Sequence, residues 1–387
     1  MPDVALALNA GSSSLKFGVF ELGPDPVELA RGQLAMGDKP PSMVAKDPSG
    51  TVIAERHWAP AQDASLKGLL DWVGEQFAPG SLAAVGHRIV HGGRDFVDPV
   101  RLDDRVIEAL DALTPLAPLH QPGSLAPVRA LQALRPGLAQ IGCFDTAFHH
   151  KLAPPVSRFA IPRSYEESGV RRYGFHGLSY AFIAQRLAEI SPVLEEKRTV
   201  VAHLGSGASL CAMQHGRSVD TTMGFTALDG LMMGTRCGAI DPGILLYLLQ
   251  HERLSVEELQ HLLYHQSGLL GVSGISADLH VLADSDAPEA AEAIDLFCFR
   301  IAREIAAIAS TLAGLDCLVF TGGIGEHSPQ VRKMVCRRLE WLGADLDAAA
   351  NEAAAEQIGT ADSRIDIRII PTDEELTIAR QTGRVLG

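Results

Sequence analysis

One turn occurs twice in this chain. Residues 4–20, VALALNAGSSSLKFGVF, and residues 199–213, TVVAHLGSGASLCAM, share the same order of features. Each reads as an apolar strand, a Gly-Ser turn of small residues, and a second apolar strand. Apolar runs joined by so short a Gly/Ser stretch signal a hairpin. A hairpin repeated half a chain apart points to two duplicated lobes. A third glycine turn, CLVFTGGIGEH at 317–327, again follows an apolar strand. Residues 294–313 carry apolar side chains at helical spacing and stop at Gly314, a residue type suited to ending a helix. Strands and helices therefore alternate, which favours α/β layers. The Gly- and Pro-rich stretch 27–58 is expected to add strands to the first lobe. The length of 387 residues agrees, being too great for one ordinary core.

The first hairpin offers more than a turn requires. Around Gly11 stand Asn9, Ser12, Ser14 and Lys16, whose side chains add donors to backbone N–H groups left open by small neighbours. Such a turn suits an anion with several oxygens, phosphate above all. A plain polar turn would have the same composition. The net charge of −14 argues against a nucleic-acid partner but permits a local cluster that binds a small anion. Six cysteines are scattered without a C-x-x-C pair, so neither a disulfide framework nor a zinc site is indicated. Met1-Pro2-Asp3 has no basic leader, and no apolar run reaches the ~18 residues of a membrane span. The expectation is a cytoplasmic protein with no membrane partner. The chain has no Walker loop and no protein-kinase signature, and GGIGEH lacks the third glycine of a dinucleotide fingerprint.

Several charged residues sit in apolar or glycine-rich surroundings. In AAVGHRIVHGG, His87 and Arg88 fall within a strand, where an unpaired guanidinium would be costly. A structural salt bridge is the alternative to a functional role there. Arg236 lies between glycines with Asp229 and Asp241 nearby, and Asp241-Pro242 reads as a helix cap followed by proline at the first helical position. Asp145 ends an apolar strand. His176 follows Phe175 and enters a helical pattern. Glu374 and Glu375 stand at a helix start, where carboxylates also complement the dipole. Two arginines, a histidine, carboxylates at strand ends and three small-residue turns together suggest phosphoryl transfer. That chemistry needs positive charge on the phosphoryl oxygens and a carboxylate-held Mg²⁺.

The blocks NAGSSSLKF, GHRIVHGG, FDTAFH, RRYGFHGLSY, DTTMGFTALDGLMMGTRCGAIDPG, FTGGIGEHS and PTDEELTIA, in this order, resemble the acetokinase family of acetate and propionate kinases. The resemblance implies the ribonuclease H-like, two-lobed fold of sugar kinases, chaperone ATPases and actin, with a central nucleotide cleft. The first lobe would hold residues 1–148 and 376–387. The second, 149–375, would carry most of the nucleotide site. It further implies a homodimer that transfers the ATP γ-phosphoryl group reversibly and in line to acetate, with Mg²⁺ or Mn²⁺.

Carried over residue by residue, the resemblance implies catalytic roles for Arg88, Asp145, His176 and Arg236. Arg88, Val90, Leu119, His120, Phe175 and Ala227 would bind the acid. Ser12, Ser14 and Lys16 would serve the phosphates. So would the turn of His203, Gly205, Ser206 and Gly207, the segment Asp278, Leu279 and His280, and the turn of Gly322, Gly323, Ile324, Gly325 and His327. Asn9 and Glu374 would hold the metal. No general base is needed, because acetate is ionised at neutral pH. The chain departs from the family pattern at Ser206, Leu279-His280, His327, Asp373, Tyr180, Ala227 and Asp229. At these positions the pattern has Asn, Phe-Arg, Asn, Asn, His, Pro and Glu. The departures leave open a propionate kinase or a pyrophosphate-dependent acyl kinase. A non-catalytic, actin-like nucleotide-gated scaffold is the reading from another class, and the acid-binding arginines argue against it.

Overall fold

Both copies of the repeated turn fold as antiparallel hairpins, and each hairpin belongs to a sheet of its own. The computed structural model describes residues 3–11, 14–35, 42–58, 64–77 and 82–387. The chain divides into two compact units. Unit 1 comprises Met1–His150, Gly177–Phe182 and Asp373–Gly387, and unit 2 comprises Lys151–His176 and Ile183–Thr372.

In unit 1 the strands are β1 (Val4–Ala10), β2 (Ser14–Glu21), β3 (Val27–Ala35), β4 (Ser42–Lys46), β5 (Val52–His57), β6 (Leu82–Ile89), β7 (Val100–Arg101) and β8 (Ala139–Phe144). They form one sheet in the order β5-β4-β3-β2-β1-β6-β8-β7. The stretch 27–58 supplies three further strands, as its composition suggested. Strands β1, β6 and β8 run parallel, so their carboxyl ends lie side by side. Strand β1 is buried on both faces, which is why it reads as an unbroken apolar run. Leu6 and Leu8 pack with Phe17, Trp72 and Leu131 on one side. On the other side Ala7 packs with Phe20 and Ile141 against Ile378 and Ala379 of the helix Glu374–Leu386. That helix lies very close to the sheet. A Cβ at Gly86 would stand 2.3 Å from Thr382 Oγ1 and 2.5 Å from Ile378 Cγ2.

Unit 2 contains β9 (Thr199–Leu204), β10 (Ala208–Gln214), β11 (Arg217–Thr221), β12 (Cys317–Thr321) and β13 (Asp366–Ile369). Their order is β11-β10-β9-β12-β13, with β9, β12 and β13 parallel. This repeats the order β3-β2-β1-β6-β8 of unit 1, with each hairpin in the equivalent place. The chain therefore builds the same five-stranded plan twice. The helix Pro288–Ala309 buries Ile294, Phe297, Ile301 and Ile305, three or four residues apart. It ends five residues before Gly314, earlier than the apolar pattern implies. The Gly314 N–H bonds the Ala309 carbonyl across a turn in which Ala313 is left-handed, so the last apolar residues close the helix instead of extending it. All six cysteines are free. Among the described residues, no helix is long and apolar enough to cross a membrane.

Candidate active site

In unit 1 the site grows from the carboxyl ends of the parallel strands, the usual place for ligands in such sheets. Pairing of Leu8 with His87 and of Ile89 with Phe144 brings Asn9, Arg88 and Asp145 to one edge. Arg88 donates to Asp145 Oδ2 from Nη2 at 2.6 Å and from Nε at 2.9 Å, and to Asn9 Oδ1 from Nη1 at 3.2 Å. The ion pair is secluded, with the side chains 18% and 1% exposed. Arg88 thus has the partner that a strand arginine needs, and that partner is itself a candidate catalytic residue. Burial alone would lower the Arg88 pKa, but the charges of Asp145, Glu374 and Glu375 outweigh it and keep the guanidinium protonated. The Asp145 carboxyl is pushed up by burial, with the Arg88 charge opposing. A Cβ at Gly177 would lie 2.1 Å from the Asp145 carbonyl, which accepts the Gly177 N–H at 2.9 Å. Only glycine lets the helix Gly177–Ile190 start against this strand end.

Asn9 links this pair to the helix Glu374–Leu386. Its Nδ2 donates to Glu374 Oε2 and to Glu375 Oε1, each at 2.9 Å. Glu375 was not singled out as a ligand from the sequence, yet it shares the cluster. Burial first, and the neighbouring Glu374 second, push its carboxyl up. Asp373 caps the helix by accepting from Leu376 N at 2.8 Å. Lys16 pairs with Asn9 across the hairpin, is exposed, and its charge reaches Glu375. Ser14 is half-buried, and its carbonyl accepts the Gly11 N–H at 2.8 Å. Ser12 lies outside the described residues.

The donor set fits a hard divalent cation. Glu374 and Glu375 offer oxygens, Asn9 turns its Nδ2 to them and its Oδ1 to Arg88, and Asp145 Oδ1 is buried without a hydrogen-bond partner among the described residues. Within those residues no three His, Cys, Asp or Glu side chains are arranged to hold a metal alone. The two carboxylates of Glu374 and Glu375 match the number with which Mg²⁺ is commonly bound, together with water and substrate phosphates.

The apolar candidates of unit 1 lie beside the same edge. Val90 is buried, and its N–H donates to Ser124 Oγ at 3.4 Å, on the helix Gln121–Leu134 that Leu119 and His120 precede. Gln121 clamps the loop by accepting from His91 N and donating to the His91 carbonyl. Leu119 is exposed and His120 half-buried. Tyr180, standing where the family pattern has His, is fully buried against Phe148 and His149 and serves packing.

In unit 2 the second hairpin gathers four of the predicted residues. His176 is left-handed, at φ 58°, an uncommon conformation for a residue with a side chain. Its Nδ1 lies 2.8 Å from Ser209 Oγ, and its ring stacks on His203 at 4.3 Å between centroids. Gly207 faces this pair. A Cβ there would stand 3.4 Å from His176 Nε2 and 3.9 Å from Arg236 Nη1. The glycine keeps open the space that these two nitrogens border. Arg236 Nη1 donates to the Ala227 carbonyl at 3.1 Å. The Arg236 loop is braced by Thr235 Oγ1, which donates to the Tyr264 carbonyl, and by Gly268, whose missing Cβ would lie 2.1 Å from the Met233 carbonyl. Asp229 lies 3.6 Å from Arg172, which also donates to the carbonyls of Thr221, Thr222 and Met223. Asp241 caps the helix Pro242–Gln250, the structural role its sequence context gave it. Phe175 is buried.

The remaining nucleotide-side candidates divide by exposure. Gly205 and Gly207 close a tight turn whose Ser206 is exposed. Asp278 caps the short helix Leu279–Ala283 through His280 N at 2.9 Å. Leu279 is buried in packing, whereas His280 and His327 are exposed. Gly322 has φ 76°, and a Cβ there would sit 2.8 Å from the Leu204 carbonyl. Its N–H is held by Glu326 Oε1 at 2.8 Å, which also accepts Thr372 N at 3.2 Å. Gly325 is buried against β9 and β12, Ile324 is half-buried and Gly323 is exposed. Glu326, Ser209 and Gly268 therefore shape the site without having been picked out from the sequence. Buried Arg332 belongs with them, donating to the Gly325 and Glu326 carbonyls.

Comparison with known proteins shows the family of the chain. The family model described as the acetokinase family matches residues 4–380. An acetate kinase of Rhodopseudomonas palustris (strain TIE-1) is 49% identical over 393 residues, covering 100% of this chain and 99% of the relative. The crystal structure of Porphyromonas gingivalis acetate kinase superposes with a TM-score of 0.88 at 35% identity, covering 100% of both chains. A propionate kinase from Francisella tularensis superposes with a TM-score of 0.90, also at 35% identity and covering 98% of each chain.

Proposed function

The chain belongs to the acetokinase family, and from that membership we propose that it transfers the γ-phosphoryl group of ATP reversibly to acetate, giving acetyl phosphate and ADP. The observation that carries the reading is the space at Gly207, bordered by His176 Nε2 and Arg236 Nη1. A glycine whose missing side chain leaves room beside a histidine and an arginine nitrogen suits a phosphoryl group whose negative charge must be met during transfer.

Each residue then has a physical task. Acetate carries the same sign as its target, so attack requires that repulsion be cancelled. Arg88 and Arg236 do this with guanidiniums that stay charged at any working pH. Three of the five Arg88 N–H groups serve Asp145 and Asn9, which leaves two for the carboxylate. Asp145 fixes the plane of that guanidinium. Ser209 orients His176 through Nδ1 so that Nε2 is presented to the phosphoryl oxygens. Asn9 and Glu374 would hold Mg²⁺ or Mn²⁺, with Glu375 beside them, and the cation neutralises phosphate charge when bound. Val90, Leu119 and Phe175 would bound the methyl group of the acid.

The helix Pro242–Gln250, PGILLYLLQ, supports a homodimer. It carries no charge and buries none of its residues, leaving Ile244, Leu246 and Tyr247 47%, 56% and 53% exposed. An apolar face of that kind marks an interaction surface. Six free cysteines favour a reducing compartment, the cytoplasm. Propionate is the second reading for the acid, because Ala227 replaces a larger proline and a propionate kinase is among the similar structures.

The test is trapping of the acyl phosphate with hydroxylamine. Purified protein with ATP, Mg²⁺ and acetate should yield acetyl hydroxamate. Product from pyrophosphate in place of ATP would overturn the donor assignment, and no product from acetate or propionate with ATP would overturn the reading itself.

A further inference from the structure

We infer that Arg31 is a charge-balancing residue for the metal end of the site, cancelling the extra carboxylate that this chain carries at position 373. The inference rests on the reading of Asn9 and Glu374 as metal ligands. Asp373 stands where the family pattern has Asn. Its Oδ1 caps the helix that begins with Glu374, a task asparagine performs equally well. Its Oδ2 does something asparagine cannot, accepting from Arg31 Nη2 at 2.8 Å. An asparagine amide turned toward Arg31 would set donor against donor.

Arg31 is itself held in place. Its Nε donates to Glu28 Oε1 at 2.8 Å, and Nη2 also pairs with Glu28 Oε2. Both residues belong to β3, one of the strands that the first lobe adds beside its hairpin. The guanidinium is therefore a fixed positive charge beside the acidic run Asp373-Glu374-Glu375. A divalent cation at Glu374 is attracted by Asp373 and repelled by Arg31, so the two effects oppose each other, and Glu28 on the same guanidinium leaves the three side chains one negative charge in all.

Binding of Mn²⁺ to the protein–ADP complex, read from the electron paramagnetic resonance signal of free Mn²⁺, tests this without turnover. Arg31→Met should tighten Mn²⁺ by about two- to fivefold, the scale of a partly exposed ion pair. Asp373→Asn should weaken it by a similar factor, and the double variant should return close to wild type. Both single-variant shifts should shrink in high salt. An Arg31→Met variant that binds Mn²⁺ unchanged or more weakly overturns the inference, whether or not its melting temperature falls. If that variant does not fold, Arg31→Gln, which removes the charge but keeps a donor toward Glu28, is read by the same criterion. Glu374→Gln is the control for the underlying reading. Should it bind Mn²⁺ like wild type, the metal assignment fails. Should it bind weakly while the two single variants do not move in opposite directions, only the charge balance fails.

Discussion

Gly207→Ala separates the proposed chemistry from the stability of the fold. The added Cβ would meet His176 Nε2 at 3.4 Å, His176 Cε1 at 3.6 Å and Arg236 Nη1 at 3.9 Å. These are ordinary van der Waals contacts, and the Gly207 backbone lies outside the left-handed region, so alanine fits without strain. By restricting the unfolded chain it should even stabilise the protein, by about 0.4–1 kcal/mol. Catalysis should respond in the opposite sense. The methyl group fills the space where a phosphoryl oxygen would accept from His176 and Arg236. Loss of one such donor costs about 2.7–4 kcal/mol, or 10²–10³ in rate. Steady-state assay of ADP formation should therefore show kcat/KM down at least a hundredfold, with the melting temperature unchanged or raised. A variant within threefold of wild type would remove the Gly207 space from the mechanism. A melting temperature lowered by several degrees would show instead that the turn rejects the methyl group.

Arg236→Ala should cost several kcal/mol in kcat/KM, the scale of losing a charged transition-state donor, and Lys should restore only part because it lacks the planar fork. Wild-type turnover in the alanine variant would exclude Arg236. At position 227 only the carbonyl is engaged by Arg236, and proline preserves it. Ala227→Pro should therefore stay folded and shift preference from propionate toward acetate by the worth of a methylene, about 1–3 kcal/mol. Equal acetate-to-propionate ratios in both proteins would sink that idea. His87 is buried with its Nε2 unpartnered among the described residues, and burial pushes its pKa down to about 4. Between that value and the ordinary 6.5 the unfolded chain binds the extra proton, so stability falls as pH drops through this window, by about 1.4 kcal/mol per unit. Urea unfolding at pH 7 and pH 5 should show the loss, and His87→Gln should reduce it, leaving the part due to His91, which burial also pushes down to about 4.

What the sequence made legible was local. Turn chemistry and apolar runs located both hairpins, and their recurrence anticipated two duplicated lobes, though not the five-stranded order they share. Asp145, His176 and Glu374 were visible because each follows an apolar run or opens a helix. The side-chain partners were not, because they depend on pairings between distant positions. Arg31 and Asp373 are 342 positions apart, and Asn9 reaches Glu374 across 365. Ser209 and Glu326 sat inside the quoted motifs, but nothing in their spacing said that one would orient His176 and the other would hold the Gly322 N–H. Leu279 matched a motif position by order, and the helix cap at Asp278 turned its side chain into the core. The early end of the helix at Ala309 has the same origin, since periodicity marks an apolar face and not the residue at which the backbone turns.

In the proposed reaction fixed charges carry the phosphoryl group directly to the acid, with no residue taking it up on the way. His176 is the group best placed to contradict this, since its Nε2 borders the Gly207 space and a histidine nitrogen can accept phosphoryl groups. ATP made chiral at the γ-phosphorus with oxygen isotopes, turned over once with acetate, measures the point directly. Inverted configuration in the acetyl phosphate is the predicted result, the mark of a single in-line displacement. Retained configuration would mean two displacements through a phosphorylated residue and would contradict the account.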